Sequence, residues 1–359
     1  MTERQREKLL SMRSQNVLNV VGEKSGILAM NSKHIFDSII DEKMIIMACN
    51  CRIPLVIPGI MRAAEELDAV VAFELAKTEG NIDGGYTGQT PKIYADTIFG
   101  YAEEMGFTKP FFIHGDHTSV KKPTDDEIDT SEALLKAEYE AGYTSFAIDA
   151  SHMELPYNVA ATAYLGTAIM NWGLGLEAEV GEIAGAAGKL TEIEEAKTYI
   201  ESLRLAKVKP VLLAISNGSK HGNYKTGEDV HIDLERTKEI AAAIRSYGAT
   251  IAQHGITGTP MHLMGQFADS GIRKGNVGTT WQNIAHKHLP AELFDAIKKW
   301  TEENNKDIKH ATRVFKKDID SIPDKNKDAI TDEAYVIARE FIEVFRAGGS
   351  ATVVADKLA

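Results

Sequence analysis

Cysteine is nearly absent from this sequence. The 359 residues include two, Cys49 and Cys51, and a pair two positions apart cannot build a disulfide framework. Both read as strand or loop residues of a reducing compartment. Long apolar runs are missing as well. No stretch approaches the roughly 18 apolar residues that mark a membrane span, and the charged opening MTERQREKLL lacks the apolar centre of a secretory signal. Positive charge is in deficit: 40 Lys and Arg stand against 52 Asp and Glu, a formal net charge of −12. That balance disfavours nonspecific attraction to nucleic acid or anionic lipid, while leaving room for a local basic pocket that holds a phosphate. These absences set the expectation of a cytoplasmic protein with no nucleic-acid and no membrane partner.

What is present suits a large folded core. Hydrophobic residues make up 43% and charged residues 26%, the balance of a globular protein. The length is ordinary for one α/β barrel with extra segments. Residues 1–42 read as an N-terminal helical extension of two amphipathic helices, with Ile35, Phe36, Ile39 and Ile40 at helical spacing. From Lys43 onward, short β-branched or aromatic runs alternate with longer helical stretches. The runs are KMIIMACN ending at Asn50, VVAFELA from Val70, PFFIHGDH from Pro110, SFAIDASH from Ser145, GLEAEVG from Gly175, KPVLLAISNG from Lys209, ATIAQHG from Ala249 and IRKGNVGTT from Ile272. Thr124 followed by Glu127 has the pattern of a capping box.

Eight strand–helix units in succession imply parallel strands, since each crossover needs a helix, and eight strands can close a barrel. The expected fold is therefore α/β, a (β/α)8 TIM barrel over residues 43–300. A doubly wound open sheet is the rival. Residues 301–359 form a C-terminal helical extension packed on the barrel. Within it the charged segment Lys306–Lys327 reads as solvated and Asp332–Phe345 as helical.

Chemistry-bearing residues collect at the C-terminal ends of the expected strands, the face where barrel active sites are built. Asn50 ends the first strand, Asp116 and His117 the third, Asp149 and His152 the fourth, and Glu179 and Glu182 the fifth. Asn217 and His221 follow the sixth, His254 ends the seventh, and Asn276 and Thr279 end the eighth. One histidine alone would more often be structural. Three of them, His117, His221 and His254, at three strand ends suit a divalent ion, zinc first, with an open fourth position. Such an ion acts as a Lewis acid on a substrate oxygen, and nearby carboxylates serve as acid and base. Glu177 and Glu179 lie two apart and face the same side of a strand. Glu177 either supports the metal site or pairs with a basic residue deeper in the barrel. Glycine-rich turns surround the later strand ends at Gly222, Gly255–Gly258 and Gly275–Gly278. Glycine lets backbone N–H groups approach an anion closely, and the loops after strands seven and eight commonly hold phosphate in barrels.

The motifs together resemble the class II, metal-dependent fructose-bisphosphate aldolases over roughly residues 43–285. IHGDHTS (113–119) resembles that family's aspartate–histidine motif and implies Asp116 as catalytic acid/base and His117 as a metal ligand. LEAEVG (176–181) implies Glu179 as a further metal-site carboxylate. KHGNYK (220–225) and QHGITG (253–258) imply His221 and His254 as ligands. KGNVGTT (274–280) implies Asn276 and Thr279 as substrate contacts, alongside Asn50, Gly222, Gly255 and Thr257. IDASHM (148–153) resembles the family's fourth strand end. The chain also departs from the pattern. Ile256 and Thr257 stand where the family usually has glycine and serine, Gly278 where it has aspartate, and Ala76 where a small residue, often serine, ends strand two. The loop Glu182–Gly188 carries no carboxylate at the place of the family's mobile glutamate, which makes Glu182 the substitute candidate.

The resemblance implies a metal-dependent aldolase that reversibly cleaves a ketose (bis)phosphate, such as fructose 1,6-bisphosphate, into dihydroxyacetone phosphate and an aldehyde. Its cofactor would be Zn2+ or another divalent metal, with a monovalent cation as an open second ion. Homodimers or homotetramers are the assemblies it implies. Three rivals stay open: the same reaction on tagatose bisphosphate, sedoheptulose bisphosphate or a donor lacking phosphate; another metal enzyme on the same barrel, such as an isomerase or hydrolase; and a barrel that binds sugar phosphate without turnover.

Overall fold

A computed structural model describes residues 1–181, 188–220, 222 and 230–359. Eight strands close in chain order into one parallel barrel: β1 (Ile46–Asn50), β2 (Val71–Ala76), β3 (Phe111–Ser119), β4 (Ser145–Asp149), β5 (Gly175–Val180), β6 (Leu212–Ile215), β7 (Thr250–Gln253) and β8 (Ile272–Val277). Closure is explicit at β1, where Met47 pairs with Val71 of β2 on one side and Gly275 of β8 on the other. That pairing excludes the open sheet. The strands are buried almost throughout, because helices cover the barrel outside and side chains fill it inside. This is why they read as near-continuous apolar runs rather than alternating ones.

The floor of the barrel is closed by both ends of the chain. Interior residues near the strand starts, among them Ile46, Ala72, Phe112, Leu212 and Ala252, share one apolar cluster with Ile35 and Phe36 from the N-terminal segment and Val354 from the last helix, Ser350–Leu358. Phe36 meets Phe112 edge-on, with ring centroids 5.7 Å apart. The N-terminal segment holds three helices rather than two, Glu3–Ser11, Gln15–Val21 and Ser32–Ile39. Gly22, at φ +81°, ends the second, and the Asn31 side chain caps the third by accepting from Lys33 N at 3.0 Å. With the floor sealed, chemistry is left to the opposite mouth.

Two local expectations fail. The helix Asp125–Glu140 starts where Thr124 predicts, but Thr124 makes no side-chain cap and the Glu127 carboxylate instead accepts from Lys121 N at 3.1 Å. The segment Lys306–Lys327 is not simply solvated. Ala311, Thr312, Ile319 and Ile322 are buried, and Arg313 N donates to Tyr86 O at 3.0 Å, so this part of the C-terminal region leans over the barrel mouth. Its long helix begins at Asp324 and runs to Val344, earlier than the expected Asp332. Among the described residues, no helix is long and apolar enough to cross a membrane.

Candidate active site

A cavity of about 380 Å³ opens at the C-terminal ends of the strands. Of the residues expected from the sequence, it gathers Asn50, Asp116, His117, Glu179, Gly222, His254, Gly255, Thr257, Asn276 and Thr279. His221 and Glu182 lie outside the described residues. Asn217 does not join the cavity: its buried amide donates to Thr237 Oγ1 and Gln253 Oε1, a structural role.

Asp116 and His117 are consecutive, and in a regular strand consecutive side chains point to opposite faces. Here the β3–β4 register shifts between Gly115 and Thr118, and His117 takes φ +67°. The bulge re-aims the chain so that both side chains reach the cavity. A non-glycine residue at positive φ is sparsely populated backbone, held in place by its surroundings.

The two histidines meet. His117 Nε2 lies 2.7 Å from His254 Nδ1, and the rings pack edge-on with centroids 4.5 Å apart. Carboxylates hold their far nitrogens: His254 Nε2 donates to Glu177 Oε1 at 2.7 Å, while His117 Nδ1 stands 3.2 Å from Asp149 Oδ2 and 3.3 Å from Glu179 Oε2. A carboxylate partner places the imidazole proton on the nitrogen that faces it. Were both rings neutral, each would turn a lone pair toward the same point, an arrangement that a proton or a metal ion between them relieves; despite burial, Glu179, Asp116 and Asp149 hold the His117 imidazole well above its usual range, which favours that proton. Asp116, His117 and His254 each offer a donor atom within 4.8 Å of the others, and so do His117, Asp149 and Glu179. Imidazole and carboxylate are suitable donors for zinc. Carboxylates behind ligating imidazoles are the usual outer support of such a site. The residues therefore fit a divalent ion.

Asp116 is clamped. Asn276 Nδ2 donates to Oδ1 at 3.1 Å and Asn50 Nδ2 to Oδ2 at 2.9 Å. Burial opposes its ionisation, but His117 and Lys274 outweigh that and hold the carboxyl down at about 2. Asn50 and Asn276 line the cavity, yet their amides are committed to Asp116, so they position the acid. Burial and the adjacent Asp149 push the Glu179 carboxyl well up, because two carboxylates that share a site oppose each other's ionisation.

Below the cavity lies a charge cluster of which the sequence names Glu177 but neither Lys274 nor Glu74. Lys274 Nζ contacts Glu177 Oε2 at 2.9 Å, Glu74 Oε2 at 3.0 Å and Asn276 Oδ1 at 2.8 Å, all deeply buried. It is the basic partner that Glu177 can be expected to have. Despite burial, Glu177 and Glu74 hold the Lys274 ammonium well above its usual range. Burial pushes Glu74 up in spite of Lys274. Arg52, Glu79 and Tyr86 were missed too. Arg52 Nε donates to Glu79 Oε1 at 2.7 Å, Tyr86 Oη donates to the same oxygen at 3.1 Å, and Asn50 Nδ2 donates to Glu79 Oε2 at 3.1 Å. The available signal was Arg52 two residues past the strand-end Asn50.

The loops after β7 and β8 touch at the far wall. Thr280 N donates to Thr257 Oγ1 at 3.3 Å, and the two hydroxyl oxygens are 3.0 Å apart. Gly255 has φ +71°, and a Cβ there would fall 2.3 Å from Lys220 O, so both conformation and space require glycine. The helix Thr279–His288 starts here with no side-chain cap from Gly278; of its first-turn donors, Thr280 N goes to Thr257 Oγ1 and Trp281 N to Gly278 O.

Fold and site define a (β/α)8-barrel enzyme whose catalytic face carries an imidazole–carboxylate cluster of metal-binding type. Comparison with known proteins narrows this. Residues 30–331 match the family described as fructose-bisphosphate aldolase class-II. The fructose-bisphosphate aldolase of Streptococcus pyogenes serotype M3 is 31% identical over 241 residues, 66% of this chain and 73% of that protein. The aldolase of the same description from Streptococcus pneumoniae serotype 4 is 30% identical over 230 residues, 62% of this chain and 70% of that one. The crystal structure of the YdjI aldolase from Escherichia coli K12 superimposes with a TM-score of 0.65 at 18% identity, covering 89% of this chain and 98% of that one, and shares the fold. The chain belongs to the class II fructose-bisphosphate aldolase family and is a lyase.

Proposed function

We propose that this enzyme reversibly cleaves a ketose (bis)phosphate, fructose 1,6-bisphosphate being the simplest case, into dihydroxyacetone phosphate and an aldehyde. His117 and His254 would hold a divalent ion, zinc first, with Glu179 beside them and His221 as the third ligand implied by the family resemblance. The observation that carries this reading is the convergence of two carboxylate-backed imidazoles on one point beside Asp116. An ion bound there supplies Lewis acidity toward a substrate oxygen.

The chain's own groups do the rest. Asp116, ionised and fixed by two amides, accepts the hydroxyl proton of the cleaved carbon and returns it in the condensation direction. Lys274 and Glu177 fix the charge beneath it. The β7 and β8 loops, with Gly255, Thr257 and Thr279, suit a phosphate, and Gly222 lies at the same cavity. Glu182 remains the candidate for the second proton transfer. The test is a retro-aldol assay over a panel of ketose phosphates, with and without chelator. The reading requires release of dihydroxyacetone phosphate from at least one of them, lost on chelation. Release from none, or undiminished release in chelator, overturns it.

A further inference from the structure

We infer that Arg52 reads an anionic oxygen of the substrate and sets which substrates this enzyme accepts, an assignment that rests on the proposed aldolase reading of the same cavity. Arg52 follows β1 at the barrel mouth, and its guanidinium is fixed on two sides. Nε donates to Glu79 Oε1 at 2.7 Å, and Nη1 donates to Gln282 Oε1 at 2.9 Å and to Thr279 Oγ1 at 3.4 Å. Nη2 has no hydrogen-bond partner among the described residues, and Arg52 lines the cavity. The side chain is 15% exposed, so nearly all of it is buried while one donor edge is kept for the cavity.

Space for that edge comes from Gly278. A Cβ at this position would stand 3.1 Å from Arg52 Nη2, and φ is negative at −116°. No positive φ demands glycine here. Glycine leaves the guanidinium its place. The cavity holds further cations besides Arg52, together with the carboxylates Glu79, Asp116, Asp149 and Glu179. Lys121 and Lys309 line the same cavity, and Lys309 comes from the C-terminal region that leans over the mouth, its Nζ 5.8 Å from the Tyr86 ring centroid. Glu79, the nearest acid, is satisfied by Arg52, Tyr86, Asn50 and the Ala76 N–H. It orients the arginine rather than competing with a ligand for Nη2.

A guanidinium held by its neighbours, with two N–H groups directed at a cavity, recognises carboxylate or phosphate oxygens. Thr279 Oγ1, already accepting from Arg52, can turn its hydroxyl proton to the same anion. The anion is either the phosphate on the ketone-side product or an acidic group on the aldehyde side.

Calorimetric binding to the metal-loaded enzyme separates these, with inorganic phosphate, dihydroxyacetone phosphate and glyceraldehyde 3-phosphate as probes. Arg52→Lys keeps a positive charge against Glu79 but loses the fixed donor edge. Gly278→Ala leaves Arg52 in the chain and crowds its Nη2 at 3.1 Å, with Asn50 Cβ and Oδ1 next at 3.4 Å. Each variant should weaken inorganic phosphate about tenfold to a hundredfold, the scale of one charged hydrogen bond. A loss for dihydroxyacetone phosphate alone puts Arg52 on the ketone side, and a loss for glyceraldehyde 3-phosphate alone puts it on the aldehyde side. Unchanged affinity for all three probes in a folded variant overturns the assignment. Because binding is read without turnover, the result stands apart from whether any ketose is cleaved. Should Arg52→Lys fail to fold, Gly278→Ala decides alone.

Discussion

His117 Nε2 and His254 Nδ1 lie 2.7 Å apart, each ring held from behind by a carboxylate. The outer partner of His254 is Glu177, which keeps the proton on Nε2 and turns the Nδ1 lone pair toward His117. Glu177→Gln can present its amide NH2 to that nitrogen and favour the other tautomer. Loss of such a partner typically costs 10- to 100-fold in metal affinity. Competition against a chelator of known zinc affinity measures it, and an unchanged affinity contradicts the assigned role.

Asp116 is held ionised between two amides. Asp116→Asn keeps the shape and removes the proton acceptor, so cleavage should fall by about 10²–10⁴-fold with bound metal largely retained. Elemental analysis beside the rate separates a catalytic loss from a binding loss. Metal content that falls in step with activity would make Asp116 a ligand instead.

Lys274 contacts both Glu74 and Glu177 at the barrel centre, at 3.0 and 2.9 Å. Lys274→Met leaves Glu177 buried without its ammonium partner, beside His254 Nε2 at 2.7 Å and His114 Nε2 at 3.5 Å, and removing one partner of a buried pair costs about 3–5 kcal/mol. Glu74→Gln should cost much less, because burial already favours the neutral form of Glu74. Denaturant unfolding of both variants checks the order, and equal losses contradict it.

His286, in the helix Thr279–His288, is pushed down to about 4 by burial. The folded state prefers the neutral ring, whereas the unfolded chain takes up a proton below its ordinary value of about 6.5. Stability should therefore fall as pH drops from 6.5 toward 4 and level off below, with His286 contributing at most about 3 kcal/mol. His286→Gln should flatten that part of the slope. A slope identical to the parent enzyme's would assign the acid sensitivity to other groups.

The barrel itself was legible because parallel strands covered on both faces become continuous apolar runs, and eight of them alternate with helices. Placement of candidate residues at strand ends was legible for the same reason. The joint use of Asp116 and His117 was not derivable from strand periodicity, which sends neighbours to opposite faces; it depends on the bulge at Gly115–Thr118. Lys274 was hidden because a charged residue in a strand reads as solvent-facing, although here it is fully buried against two glutamates. The charge of Lys306–Lys327 likewise masked the apolar spacing of Ala311, Ile319 and Ile322, which brings Lys309 to the mouth.

In the proposed reaction one divalent ion beside Asp116 would be required for any carbon–carbon cleavage. Titration of metal-stripped enzyme with zinc, followed by retro-aldol cleavage of the best ketose phosphate, tests it most directly. The expected result is no cleavage at the start and a linear rise that saturates at one zinc per chain, a rise lost when His254 is replaced by alanine. Full cleavage by the stripped enzyme, or a rise that His254→Ala leaves intact, would contradict it.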